Sequence, residues 1–154
     1  MTNTSSVQAH TPPSKGEHNG FCVDVVNLGD QETEFGLKHQ IKLVWEIEER
    51  KKSGYRFNVG RKCNVSFYDK STLVGILESW LDRKLNEEEK TLEFVLSLKG
   101  KQARLKLGHK PYNGVTIADL KKVLPAVATV NPSNEYRTPK QWEQYHREQE
   151  GGAA

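Results

Sequence analysis

The sequence predicts a mainly β fold with one helix set among the strands, and three observations predict it. Residues 38–45 (KHQIKLVW) alternate strictly, with His39, Ile41, Leu43 and Trp45 on one side and Lys38, Gln40, Lys42 and Val44 on the other. Successive strand side chains point to opposite faces, so this run is a strand with an apolar side and a basic side. Residues 55–67 repeat the arrangement, with Phe57, Val59, Cys63, Val65 and Phe67 on one face and Arg56, Asn58, Lys62 and Asn64 on the other. At Ser71 the period lengthens: Leu73, Ile76, Leu77, Trp80 and Leu81 fall on one helical stripe.

The elements follow in order. Residues 1–19 are rich in Thr, Ser, Pro and Gly with almost no large apolar side chain, so they cannot offset the entropy of ordering and are expected to form a flexible tail. Residues 21–28 (FCVDVVNL) are β-branched and apolar on both sides, as in a strand buried mid-sheet, and Gly29 and Asp30 end the run. Gly36 precedes the second strand and Ser53 and Gly54 follow it, which makes the second and third strands a hairpin with Arg50, Lys51 and Lys52 at its tip. Asp69 or Ser71 can cap the helix, and Asn86 with Glu89 three residues on resembles a capping arrangement for a short second helix. Residues 92–98 fit either an extended or a helical segment.

Alternation returns in residues 102–109, with Ala103, Leu105 and Leu107 inward and Arg104 and Lys106 outward. A turn at residues 111–114 leads to a last extended stretch, residues 115–124, interrupted by a helical turn near Asp119. Residues 126–154 form a second expected tail, partly helical, in which Trp142 and Tyr145 lie three apart. The order strand, strand, strand, helix, strand, strand over residues 20–125 matches the five-stranded OB-fold barrel, whose helix lies between the third and fourth strands. An open α+β sheet uses the same elements, and periodicity does not decide closure.

A chain of 154 residues with 35% hydrophobic content supports one domain with a modest core. No run reaches the length of a membrane span and the N-terminal stretch lacks the apolar segment of a signal peptide, so a cytoplasmic protein is expected. Cys22 and Cys63 stand far apart without a second pair and are expected to be small buried hydrophobes. The net charge of +3 is mild, but its distribution is not even. Lys38, Lys42, Arg50, Lys51, Lys52, Arg56, Arg61 and Lys62 crowd the middle of the chain, and two neighbouring strands with basic outer faces suit a polyanion, because neutralised phosphates release counterions.

Single-strand binders join such a groove to aromatic rings on which bases stack. Trp45 shares its face with Ile41, Leu43 and Ile47 and is assigned to the core, as are Phe57, Phe67 and Trp80. The stacking candidates lie in loops: Phe35 before the second strand, Tyr55 at the hairpin, Tyr68 after the third strand and Tyr112 in KPYNG. The candidate cations are Lys38, Lys42, Arg56 and Lys62, outward by alternation, with Gln40 beside them. Arg61 joins them if Gly60 permits a bulge, and Lys110 stands near Tyr112.

LGDQETEFGLKHQIKLVWEI (residues 28–47) and KSTLVGILESWLDRKLNEEE (residues 70–89) resemble a family of phage-encoded single-stranded DNA-binding proteins with OB folds. That family shows a Gly-Thr-Gln turn, a Lys-bearing strand ending near an aromatic, and a Ser-x-x-Leu-x-x-x-Leu-x-x-Trp helix. Here Gly29, Asp30 and Gln31 stand at the turn, with Asp in place of Thr, and Ser71, Leu73, Leu77 and Trp80 follow the helical part with altered spacing. The resemblance implies sequence-independent binding of single-stranded DNA in phage replication or recombination. It does not extend to an acidic, Phe-tipped terminus for recruiting replication proteins, since this chain ends in EQEGGAA.

The five histidines are scattered, and no phosphate loop, nucleophile motif or metal-ligand spacing occurs, so neither enzyme activity nor a metal or cofactor is expected. Asp24 on the first strand, with Asp30, Glu32 and Glu34 after it, reads as a carboxylate cluster beside a polar turn rather than a metal site. The competing function is a protein-binding adaptor in a replication or host-takeover complex, using the groove or the Trp142 and Tyr145 tail to meet replication or recombination proteins. Nothing in the sequence sets the oligomeric state.

Overall fold

The predicted runs become five strands: the first, second and fourth extend beyond the runs that announce them, the fifth keeps its expected bounds, and the third stops short, at Asn64 rather than residue 67. A computed structural model describes residues 11–144. Its strands are β1 (Gly16–Thr33), β2 (Gly36–Arg50), β3 (Arg56–Asn64), β4 (Gln102–Tyr112) and β5 (Val115–Leu124). Helix α1 (Thr72–Leu81), a single 3-10 turn (Glu87–Glu89) and the short helix α2 (Leu92–Leu96) lie between β3 and β4 in sequence. All pairings are antiparallel, in one sheet of order β3-β2-β1-β4-β5. The sheet is open: β3 and β5 form its two edges with no ladder between them, and α1 packs against both.

The inner face of β2 is the expected one. Ile41, Leu43, Trp45 and Ile47 are fully buried, and α1 sets Leu73, Val74, Leu77 and Trp80 against them. Each such side chain contributes roughly 1.5–3 kcal/mol of transfer free energy. Trp45 and Trp80 meet edge to face at 5.7 Å, and Trp80 Nε1 donates to Gln102 O at 2.9 Å. Ser71 caps α1 through Val74 N, and Asp82 ends it in the left-handed region at φ 57°. Asn86 and Glu89 form the reciprocal capping box on the 3-10 turn. Residues 92–96 take the helical alternative, with Thr91 as N-cap.

Burial pushes the Cys22 thiol up to about 12 and the Cys63 thiol to about 11, from an ordinary 9.0. Both are free and buried, as small hydrophobes. A raised folded pKa stabilises the fold fully below pH 9.0, and that contribution is lost as pH rises toward the folded values. The urea midpoint is therefore expected to fall as pH is raised beyond 9.0, less steeply in Cys22→Ala, and neither thiol should react with an aromatic disulfide reagent before unfolding.

Three expectations are corrected. β1 starts at Gly16 rather than at residue 21, and residues before it are docked: Pro13 is buried, its carbonyl accepts from His109 Nε2 at 2.7 Å, and Ser14 binds the Glu49 carboxylate. The first ten residues of the expected tail lie outside the described residues. β5 carries no helical turn near Asp119; the irregularity is a register shift opposite Lys106 and Leu107 that leaves Lys121 as the extra residue.

The third correction concerns the segment after Pro125, whose first part is no free tail. Residues 130–136 cross the outward side of the sheet as a strap. Val130 is buried and exchanges two hydrogen bonds with the Gln102 side chain, at 2.8 and 3.1 Å. Ser133 gives both its backbone N–H and its hydroxyl to Glu46, and the Tyr136 hydroxyl donates to Asp24 at 3.0 Å. Burial and the Asp24 carboxylate raise the Tyr136 phenol above its ordinary range, which keeps it a donor. Helix follows from residue 139 to the end of the described chain at residue 144, opened by a reciprocal bond pair between Thr138 and Gln141. Tyr145 lies outside the described residues.

Candidate functional site

The strap divides the outer face of β2 and β3 into a covered half and an open half. On the covered half Glu46 is buried, and Arg56 Nη1 reaches it at 2.8 Å while also donating to Asn131 O at 2.6 Å. Arg56 is therefore corrected from a groove cation to the partner of a buried carboxylate. Alternation placed it on the outer face, but Glu46, paired with Asn58 two residues along β3, and the Asn131 carbonyl of the strap decided its use.

The open half keeps the cations. Lys42 and Lys62 are exposed and directly opposed in the β2–β3 ladder, and Gln40 opposite Asn64 donates to it at 2.9 Å. Like charges placed directly across a ladder are destabilising. Gly60 matters here: a Cβ at that position would stand 2.6 Å from Lys42 Cε, so the missing side chain lets Lys42 lie across β3 toward the open edge. Gly60 makes no bulge, since it pairs in register with Val44, and the expected turning of Arg61 is corrected. Arg61 keeps its inward alternation opposite Leu43 and still reaches the site, because β3 is an edge strand and its side chain emerges at the seam beside α1.

A groove of about 460 Å³ continues the patch beyond β3, lined by Gln40, Arg61, Lys62, Asn64, Tyr68 and Lys70 among others. Tyr68 is 67% exposed there. Among the described residues no carboxylate lies within 4.0 Å of the Lys38, Lys42, Arg61, Lys62 or Lys70 side-chain nitrogens, whereas Arg50, Arg56, Arg83, Lys84, Lys90, Lys99 and Arg104 all have one. The open half of this face is thus a positive surface with amide donors and an exposed ring at its border.

The remaining expected residues are placed elsewhere. Phe35 is 78% exposed at the β1–β2 turn, Tyr55 60% at the β2–β3 turn and Tyr112 60% at the β4–β5 turn, so the three rings occupy three different hairpin tips. Lys110 lies 3.8 Å from Asp119, which also takes Lys121 at 2.7 Å, and those cations hold the Asp119 carboxyl below the usual range. Lys110 is not among the unpaired cations. Lys70 was missed in the sequence, where a lysine before a helix cap carries no distinguishing signal. Among the described residues no group of three or more His, Cys, Asp or Glu could hold a metal ion, and no helix is long and apolar enough to cross a membrane.

Comparison with protein-family models and with curated proteins finds no match for this chain.

Proposed function

We propose that the chain is an OB-type barrel, left open between β3 and β5, that binds single-stranded DNA without regard to sequence along the uncovered half of β2 and β3. The observation that carries this reading is the convergence of Lys42, Lys62, Arg61 and Lys70, all without a carboxylate within 4.0 Å among the described residues, beside an exposed Tyr68. A directly opposed lysine pair costs stability, and a phosphate seated between the two ammonium groups offsets that cost. Gln40 and Asn64 supply donors for sugar or phosphate oxygens but no arranged bidentate pattern for one base, which favours backbone contact over sequence readout. The strand order, with α1 against both open edges, supports the barrel reading. The resemblance noted in the sequence extends the proposal to phage DNA replication or recombination.

Competition between a labelled oligo-dT and unlabelled duplex of equal length, followed by anisotropy near physiological salt, tests ligand class and strandedness together. Single strands are expected to bind tighter, with affinity falling as salt rises at about −0.7 log units per phosphate contact. Absence of oligo-dT binding even at low salt, or equal affinity for duplex, contradicts the proposal and leaves the adaptor reading in its place.

A further inference from the structure

The strap brings a second aromatic and cationic locus to the other end of β3. Trp142 is 47% exposed, and the Arg137 guanidinium lies 5.7 Å from its ring centroid. Together with Tyr55, Tyr136, Lys51 and Asn58 they line one groove of about 620 Å³, within the range of roughly 300–1,000 Å³ typical of sites for small organic groups. The groove has a built frame. Tyr136 is tied to Asp24, and the Thr138 and Gln141 bond pair starts the helical turn that carries Trp142. The one carboxylate lining the groove, Glu135, is occupied: it accepts from the Arg56 backbone N–H at 2.9 Å and faces Arg50 at 3.4 Å.

This groove shares a strand face with the lysine patch. Asn58 at its rim and Lys62 in the patch both point outward from β3, four residues apart, or about 13 Å at strand rise. We propose that the C-terminal segment supplies a second stacking subsite for an unpaired nucleobase, with Trp142 as its platform and Lys51 beside it for the backbone. A single strand would then run along β3 from Lys62 to Trp142. This inference rests on the proposed single-strand binding and adds a specific subsite to it.

The tryptophans make the test selective, because Trp45 and Trp80 are buried at 0% and 1% exposure while Trp142 is open. Saturating the full chain with oligo-dT is expected to quench tryptophan emission in step with the anisotropy change of the labelled strand. Trp142→Phe should remove most of the emission change. Trp142→Ala should weaken binding roughly five- to hundredfold, the range of one lost base stack, with Tyr55→Ala acting in the same direction and far-UV dichroism unchanged. Oligo-dT binding seen by anisotropy with undiminished quenching in Trp142→Phe, or with wild-type affinity in Trp142→Ala, overturns the subsite and leaves the lysine patch standing. No binding by anisotropy in the wild type overturns the functional reading itself.

Discussion

Glu46→Ala is expected to destabilise the fold by about 3–5 kcal/mol, the cost of breaking a buried ion pair from one side. The Glu46 side chain is 2% exposed and that of Arg56 is 15% exposed, so deleting the carboxylate leaves a guanidinium with little solvent and only the Asn131 carbonyl as partner. The same deletion strips Ser133 of both its acceptors, at 3.1 and 2.9 Å, and so loosens the middle of the strap. For a domain whose total stability is of the order of 5–15 kcal/mol this is a large fraction, readable as a lowered urea midpoint at an unchanged slope. Replacing both partners, Glu46→Leu with Arg56→Met, should recover much of the loss, because no uncompensated charge remains. A Glu46→Ala protein within about 1 kcal/mol of wild type would show the pair and the strap to be marginal.

Lys42→Glu with Lys62→Glu is expected to weaken oligo-dT binding by at least about tenfold at low salt and to flatten the salt dependence by about 1.4 log units, the share of two phosphate contacts on a single strand. The fold should be kept, since both side chains are exposed and unpaired among the described residues. The single change Lys62→Glu separates binding from stability. It converts an opposed like-charge pair into an attractive one, expected to add about 0.2–1 kcal/mol of stability while affinity falls. A variant that gains stability and loses binding marks the lysine pair as held for a ligand. Unchanged affinity in the folded double variant would remove the pair from the account.

Much of the fold was legible because its signals are local. The period-two runs of residues 38–45 and 102–109, the stripe from Leu73 to Trp80, Ser71 as a cap and the Asn86 and Glu89 box each depend on near neighbours, and each is found in place. Trp45 and Trp80 are core residues, as their faces implied. The strap was not legible, because it depends on partners far apart in the chain: Ser133 is 87 residues from Glu46, and Tyr136 is 112 from Asp24. Low hydrophobicity made residues 126–137 resemble a tail, while polar side chains hold them down. Only the Thr138, Pro139 and Gln141 spacing gave a local hint, as an N-cap, a first-turn proline and a capping partner.

The candidate site divides in the same way. Alternation along β2 and β3 named Lys42 and Lys62 correctly as exposed neighbours, since register is a backbone property. It misjudged Arg56, whose exposure is set by a segment that returns from the C-terminal end, and it assigned Arg61 a bulge where an open sheet edge suffices.

The most direct test of the central claim is backbone amide NMR of the full chain titrated with a short oligo-dT at low salt. Shift changes concentrated on the open outer face, from Gln40 and Lys42 through Lys62 and Asn64 to Tyr68 and Lys70, are the expected result. An unchanged spectrum at low salt, or changes confined to the β4–β5 hairpin away from that face, would contradict it.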